Sequence, residues 1–198
     1  MYNVSVQVQG ISPLMQHAYP MPKFEDMGKG GKRVSGSNAQ AYLEEWREYF
    51  YIDKDQNIVQ PALHFESAMV KAAGSFKIQG KRGASYKDLF KSSVIVSPDY
   101  IPHGVKVPAQ LDMDADKNLY LDMRPVVISR ARVVRIRPVF KRDWKLEFEI
   151  EVADDGIAPE LLKDILEYAG RFCGVGELRP RFGRFMVTSF QVYKNGKE

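Results

Sequence analysis

The sequence holds a single cysteine, Cys173, among its 198 residues, so internal disulfides are excluded and a reducing, cytoplasmic compartment is expected. The three histidines, His17, His64 and His103, keep no zinc-ligand spacing, and one cysteine cannot complete a set for them. No apolar run approaches the roughly 18 residues of a membrane span. The opening MYNVSVQVQGISPL has no basic stretch leading into an apolar block, so no signal peptide is expected. No nucleophile elbow, Walker loop or internal repeat occurs. DMDADKN places Asp112, Asp114 and Asp116 at alternate positions, as a calcium loop begins. Lys117 and Met123 then stand where such a loop needs glycine and glutamate. GVGELRPRFG starts like a dinucleotide fingerprint but follows a helix and precedes a strand, the reverse of that context. No metal or cofactor is expected, and no motif demands an enzyme. The net charge of +4 and pI near 9.0 are only mildly basic, so any nucleic-acid role must be read from where the charge lies.

What is present divides into elements. Residues 2–9 alternate, with Tyr2, Val4, Val6 and Val8 on one side, the pattern of a half-buried strand. The glycine- and lysine-rich run from Pro20 to Asn38 reads as a loop. A helix capped near Ser37 or Asn38 follows, with Tyr42, Leu43, Trp46 and Phe50 on one face. Asp53–Asn57 is a turn. Phe65, Ala68, Met69, Ala72 and Phe76 form the apolar face of a second helix, and Lys77–Gly83 an exposed loop. Val94–Val96, Leu119–Met123, Val126–Arg137, Lys145–Val152 and Phe185–Val192 read as strands. Pro159 opens a helix with the stripe Leu162, Ile165, Leu166, Ala169 and Phe172, and Gly174 stops it. Without its insertions the order is βαββαβ. The expected fold class is therefore α+β, ferredoxin-like or RRM-like, in one domain over 1–198. A loop and helix are inserted at about 20–57, and a β-rich segment at about 77–123.

Charge concentrates in RPVVISRARVVRIRPVFKR, which holds Arg124, Arg130, Arg132, Arg135, Arg137, Lys141 and Arg142 and no acid. Arg130 and Arg132 have one strand parity and Arg135 and Arg137 the other, so a bulge is expected near Val133–Val134. One reading is a solvated face balanced by Glu147, Glu149 and Glu151 in the next strand. The other is a phosphate-contacting strip, for which arginine's forked donors are suited. Lys71, Lys77, Lys81 and Arg82 form a second basic cluster.

Gly174-Val175-Gly176 and Gly183-Arg184-Phe185 flank a short loop between the last helix and last strand. This arrangement resembles the glycine-rich loop of the RAMP superfamily, RNA-binding proteins of CRISPR effector complexes, with the final glycine of that pattern replaced. IVQPALHFESAMVKAA is similar to the strand end, proline and small-residue run that open the first helix of that superfamily's backbone subunits. VSVQVQGISPLM is similar to their first strand and loop. The resemblance implies RNA contacts by Gly174, Gly176, Arg179, Arg181, Gly183 and Arg184, and assembly of copies along a strand or with other subunits of a ribonucleoprotein complex. It also makes His17, His64 and Asp26 candidate catalytic positions by location alone.

The expectation is a protein that binds single-stranded RNA or DNA through those loop residues and both basic clusters. Phe140, Trp144, Phe182 and Phe185 would be available for stacking. A metal-independent endoribonuclease, and a structural or assembly protein of a virus or mobile element, stand as alternatives. No membrane role is expected.

Overall fold

The computed structural model describes residues 1–19, 46–128 and 131–193. Asp26, Arg130 and most of the helix expected after Ser37 lie outside them. Strand β1 (Tyr2–Gly10) is followed by the two-residue β2 (Leu14–Met15), a 3-10 turn at Trp46–Tyr49, and β3 (Asn57–Pro61). Helix α1 (Ala62–Ala73), helix α2 (Lys87–Ser93), β4 (Val94–Ser97) and β5 (Tyr100–Lys106) come next. A long hairpin of β6 (Leu119–Ile128) and β7 (Ala131–Phe140), then β8 (Lys145–Val152), α3 (Pro159–Tyr168) and β9 (Phe185–Tyr193) complete the described elements.

Alternation in β1 buries Tyr2, Val4, Val6 and Val8 as expected, and β1 is a central strand of an antiparallel sheet ordered β4-β8-β1-β9. With α1 between β1 and β4, and α3 between β8 and β9, this is the ferredoxin-like arrangement. Both helices pack on one face of the sheet. Phe65 of α1 lies fully buried between Phe148 (ring centroids 4.5 Å apart) and Phe185 (5.4 Å). Truncating such a side chain costs about 3–5 kcal/mol. Pro159 occupies the first turn of α3, and Leu162, Ile165, Leu166 and Ala169 are buried. Phe172 is not: the helix widens to π-type turns at Ala169–Cys173, which rotates Phe172 outward.

Three expectations need correction. The β-rich insertion falls later than 77–123, because α2 and β4 belong to the core unit and β5, β6 and β7 lie between the second and third strands of its sheet. The run Val126–Arg137 is not one bulged strand. Its two ends lie on opposite arms of the β6–β7 hairpin, whose register from Leu119↔Phe140 to Ile128↔Ala131 is unbroken. Arg132, Arg135 and Arg137 all lie on β7, so the change of parity puts Arg132 on the face opposite to Arg135 and Arg137. Finally, Glu147, Glu149 and Glu151 do not balance the arginines. β8 pairs with β1 and β4, whereas β7 pairs with β6 and β2 in a separate sheet.

The face of the four-stranded sheet away from the helices carries Asn3, Ser5, Gln7 and Gln9 of β1 and Lys145, Glu147, Glu149 and Glu151 of β8. Among the described residues no helix is long and apolar enough to cross a membrane.

Candidate nucleic-acid interface

An RRM-like protein reads RNA with aromatic side chains on its sheet. Here that surface presents glutamates, which repel phosphate, so the basic residues must be sought elsewhere. They converge at the junction of the strap after β1, the first helix, the glycine loop and the base of the β6–β7 hairpin.

The glycine loop is built onto the strap by backbone hydrogen bonds. Gly183 N–H donates to Pro13 O (2.7 Å), Glu177 N–H to Met15 O (2.9 Å), and Val175 N–H closes the loop on Gly183 O (2.9 Å). Gly174 stops the preceding helix at φ +68°, as the sequence predicts. Gly176 and Gly183 also have positive φ, but a Cβ at Gly176 would lie 2.5 Å from Met15 O, and one at Gly183 1.7 Å from Val175 O. These glycines let backbone approach backbone within the chain. Arg179 and Arg181 lie in a turn, containing a cis Arg179–Pro180 bond, in which Phe182 N–H donates to Leu178 O (3.3 Å). Arg184 is tied to its own loop by Nε donating to Pro180 O (2.8 Å).

Beside the loop, a cavity of about 410 Å³ is lined by Ser67 and Lys71 of α1 together with Cys173, Gly176, Glu177 and Arg179. The hairpin adds a second basic wall. Its register puts Arg124, Arg135 and Arg137 on one face, with Tyr120 and Asp122. Arg124 is held by both oxygens of Asp122 and lies 5.0 Å over the Phe182 ring. Arg137 is buried at 4% exposure. Its Nε donates to His17 Nδ1 (3.2 Å) and a terminal nitrogen lies 3.9 Å from Glu177, while its Nη1 has no partner among the described residues. Arg132 has the opposite direction, across from Val127.

The remaining sequence-predicted residues are elsewhere. Lys77, Lys81 and Arg82 occupy the exposed turn at the C-terminal end of α1, closed by Ile78 N–H to Ala84 O (3.0 Å). Lys141 donates to Asp116 O (3.0 Å), and Arg142 to Ile11 O (3.0 Å). Phe140, Trp144, Phe182 and Phe185 are all buried, because they pack the hairpin, the strap and the last strand together; none offers a stacking face. Asp112, Asp114 and Asp116 form a capped turn, with Asp112 accepting from Lys117 and from Asp114 N–H (3.1 Å). Among the described residues no three His, Cys, Asp or Glu side chains converge as a metal site would require.

The histidines stand on groups the sequence reading passed over. Gln16 and Gln60 are both fully buried. Gln16 Oε1 accepts from Tyr51 N–H (3.2 Å), and its Nε2 donates to Val59 O (2.8 Å) and Gln60 Oε1 (3.2 Å) and lies 3.4 Å from His103 Nε2. Gln60 Nε2 in turn meets His64 Nδ1. Tyr51 joins the two sides: its hydroxyl donates to His17 O (3.3 Å) and its ring meets His64 edge-on (5.3 Å). Burial pulls His64 down to about 4, helped by the neighbouring Arg179 charge. Burial pulls His103, stacked on Phe140 at 4.1 Å, down to about 3. His17 is lowered by burial and then by Arg137. The one available signal was a glutamine in each of two otherwise apolar runs, PLMQ and IVQPAL.

No protein-family model matches the chain, and no curated protein matches it in sequence. In structure it is similar to a chain of the cryo-EM structure of the Type III-B Cmr-beta bound to cognate target RNA. The TM-score is 0.54 at 11% identity, and the match covers 98% of this chain and 61% of that one. The chain therefore spans about three fifths of that protein's length. At this identity the likeness is one of fold, an α+β ferredoxin-like arrangement with antiparallel sheets.

Proposed function

We propose that the chain binds single-stranded nucleic acid, RNA in preference to DNA, as a RAMP-like subunit of a ribonucleoprotein complex that self-associates or joins other subunits along its ligand. The path runs from the hairpin face bearing Arg124, Arg135 and Arg137 across the strap to Arg179 and Lys71. One observation carries this reading. Basic groups far apart in sequence share a junction in which Arg137 Nη1 has no acceptor among the described residues, while the open sheet face is acidic. A buried guanidinium with an unfilled donor is costly unless an anion completes it. Support in kind comes from the fold likeness to a chain of a structure bound to target RNA.

The test is fluorescence anisotropy with labelled single-stranded RNA and DNA of unrelated sequences, titrated against salt. Affinity should fall steeply with salt and little with sequence, and Arg135→Ala, Lys71→Ala and Arg179→Ala should each shrink the slope of log K against log salt by about 0.7. Unchanged slopes in all three would refute the path. Labelled RNA incubated with the purified protein should remain intact.

A further inference from the structure

Of the four buried polar or charged residues among those described, Gln16, Gln60, Ser93 and Arg137, three bear directly on a histidine. A protein interior tolerates polar groups only when their partners are supplied, and here the partners impose a direction. Gln16 Nε2 points at a backbone carbonyl, which can only accept, so the orientation of its amide is fixed. That makes Gln60 Oε1 the acceptor from Gln16 and leaves Gln60 Nε2 to donate to His64 Nδ1. On the other side of Tyr51, the arginine Nε, a donor only, faces His17 Nδ1. Both imidazoles thus receive a hydrogen bond at Nδ1, so each neutral ring carries its proton on Nε2. Neither exposes a lone pair, and burial opposes protonation of either. A general base needs the lone pair and a general acid needs the second proton. What remains is two fixed N–H donors, the His64 ring edge-on to Tyr51 and the His17 ring against Tyr49, linked through the Tyr51 hydroxyl on His17 O. Arg179 is near Tyr51, and Arg137 Nη1 is unfilled among the described residues.

We propose that His64 and His17 are neutral N–H donors to a phosphodiester group of the bound strand, held in that form by the positioning residues Gln60 and Arg137. The junction is then a binding subsite, with no step of catalysis assigned to either ring. This rests on the nucleic-acid reading above and specifies which groups meet the ligand and in which protonation state.

Gln60→Glu gives the sharpest test. Its carboxylate would accept from His64, moving the ring proton to Nδ1 and turning a bare Nε2 lone pair toward the phosphate. The charged groups facing His64 are Arg179 from the glycine loop and, in the variant, the new carboxylate at position 60; Tyr51 is the titratable neighbour. The probe is fluorescent oligouridylate, measured between pH 5.5 and 8 at constant salt, with thermal melts of each variant and ring-nitrogen NMR of the histidines.

Wild-type affinity should stay flat over this range, and the NMR should show both rings protonated at Nε2. Gln60→Glu should bind about tenfold more weakly at pH 8, the loss of one charge-assisted hydrogen bond, and recover toward pH 5.5 as His64 gains its second proton. His64→Gln, which keeps an N–H, should retain most of the affinity and His64→Leu should lose about tenfold, a comparison that holds if Gln60→Glu fails to fold. Wild-type affinity rising tenfold as pH falls, an Nδ1-protonated ring, or equal binding by His64→Gln and His64→Leu would overturn the proposal while leaving nucleic-acid binding standing. No oligonucleotide binding by the wild type would overturn both.

Discussion

Gly176→Ala tests whether the glycine loop faces a ligand or its own chain. The residue has φ +76°, where a β-carbon costs about 1–2 kcal/mol. An added Cβ would lie 2.5 Å from Met15 O and 2.7 Å from Leu14 Cδ1, and both Leu14 and Met15 are fully buried. Neither can yield cheaply, and overpacking of this kind typically adds about 1–3 kcal/mol. Relief by moving the loop off the strap would break the 2.9 Å bond from Glu177 N–H to Met15 O, worth about 1 kcal/mol. These terms partly substitute for one another, so the expected loss is about 3 kcal/mol. For a chain of this size that lowers the melting temperature by roughly 10 °C. Thermal melts with urea titrations should show the loss, and RNA affinity measured well below the transition should change less than twofold. A variant that melts like the wild type yet binds RNA poorly would show that the Cβ enters ligand space, and would refute the reasoning.

Lys71→Ala combined with Arg179→Ala should weaken single-stranded RNA binding at low salt while leaving the melt within about 2 °C, since both are surface residues; a large melting shift would count against it. Arg137→Ala should raise the His17 pKa toward its ordinary value, because it removes a nearby positive charge; an unchanged or lowered value in an NMR titration of the imidazole would contradict this. His64 and His103 are depressed on folding to about 4 and about 3, so the unfolded chain binds their protons first. Their stabilising contribution is fully present above about pH 6.5 and is lost as pH falls toward those folded values, at about 1.4 kcal/mol per pH unit for each. Urea midpoints that stay level between pH 6.5 and 4.5 would count against that linkage, and His103→Phe should reduce the slope.

Local pattern carried much of the architecture. Period-two alternation in β1 and β8, the helical stripe from Phe65 to Ala72, Pro159 at a helix start and Gly174 at a helix end are short-range statements. Each is satisfied where the sequence places it. Phe172 escaped because a π-type widening is a response to packing, with no periodic signature of its own. The arginine run was legible as a cluster, but Arg124 meets Arg135 from the opposite arm while Arg132 points to the other face of β7, and parity alone does not place a hairpin turn inside the run.

Read as a string, the chain already specified the βαββαβ order and an arginine-bearing glycine loop after the last helix. What those residues face was settled by packing in three dimensions. The fold put the acidic strand β8 in one sheet and the arginine strand β7 in another, and it buried all four aromatics that a linear reading would offer to bases. It turned Gly176 against Met15, and it joined Gln16, Gln60 and Tyr51 to histidines as far as 87 positions away. Periodicity reports which face of an element is apolar. Direction of approach, hydrogen-bond partner and protonation state depend on which elements meet, and that is set by packing between segments distant in the chain.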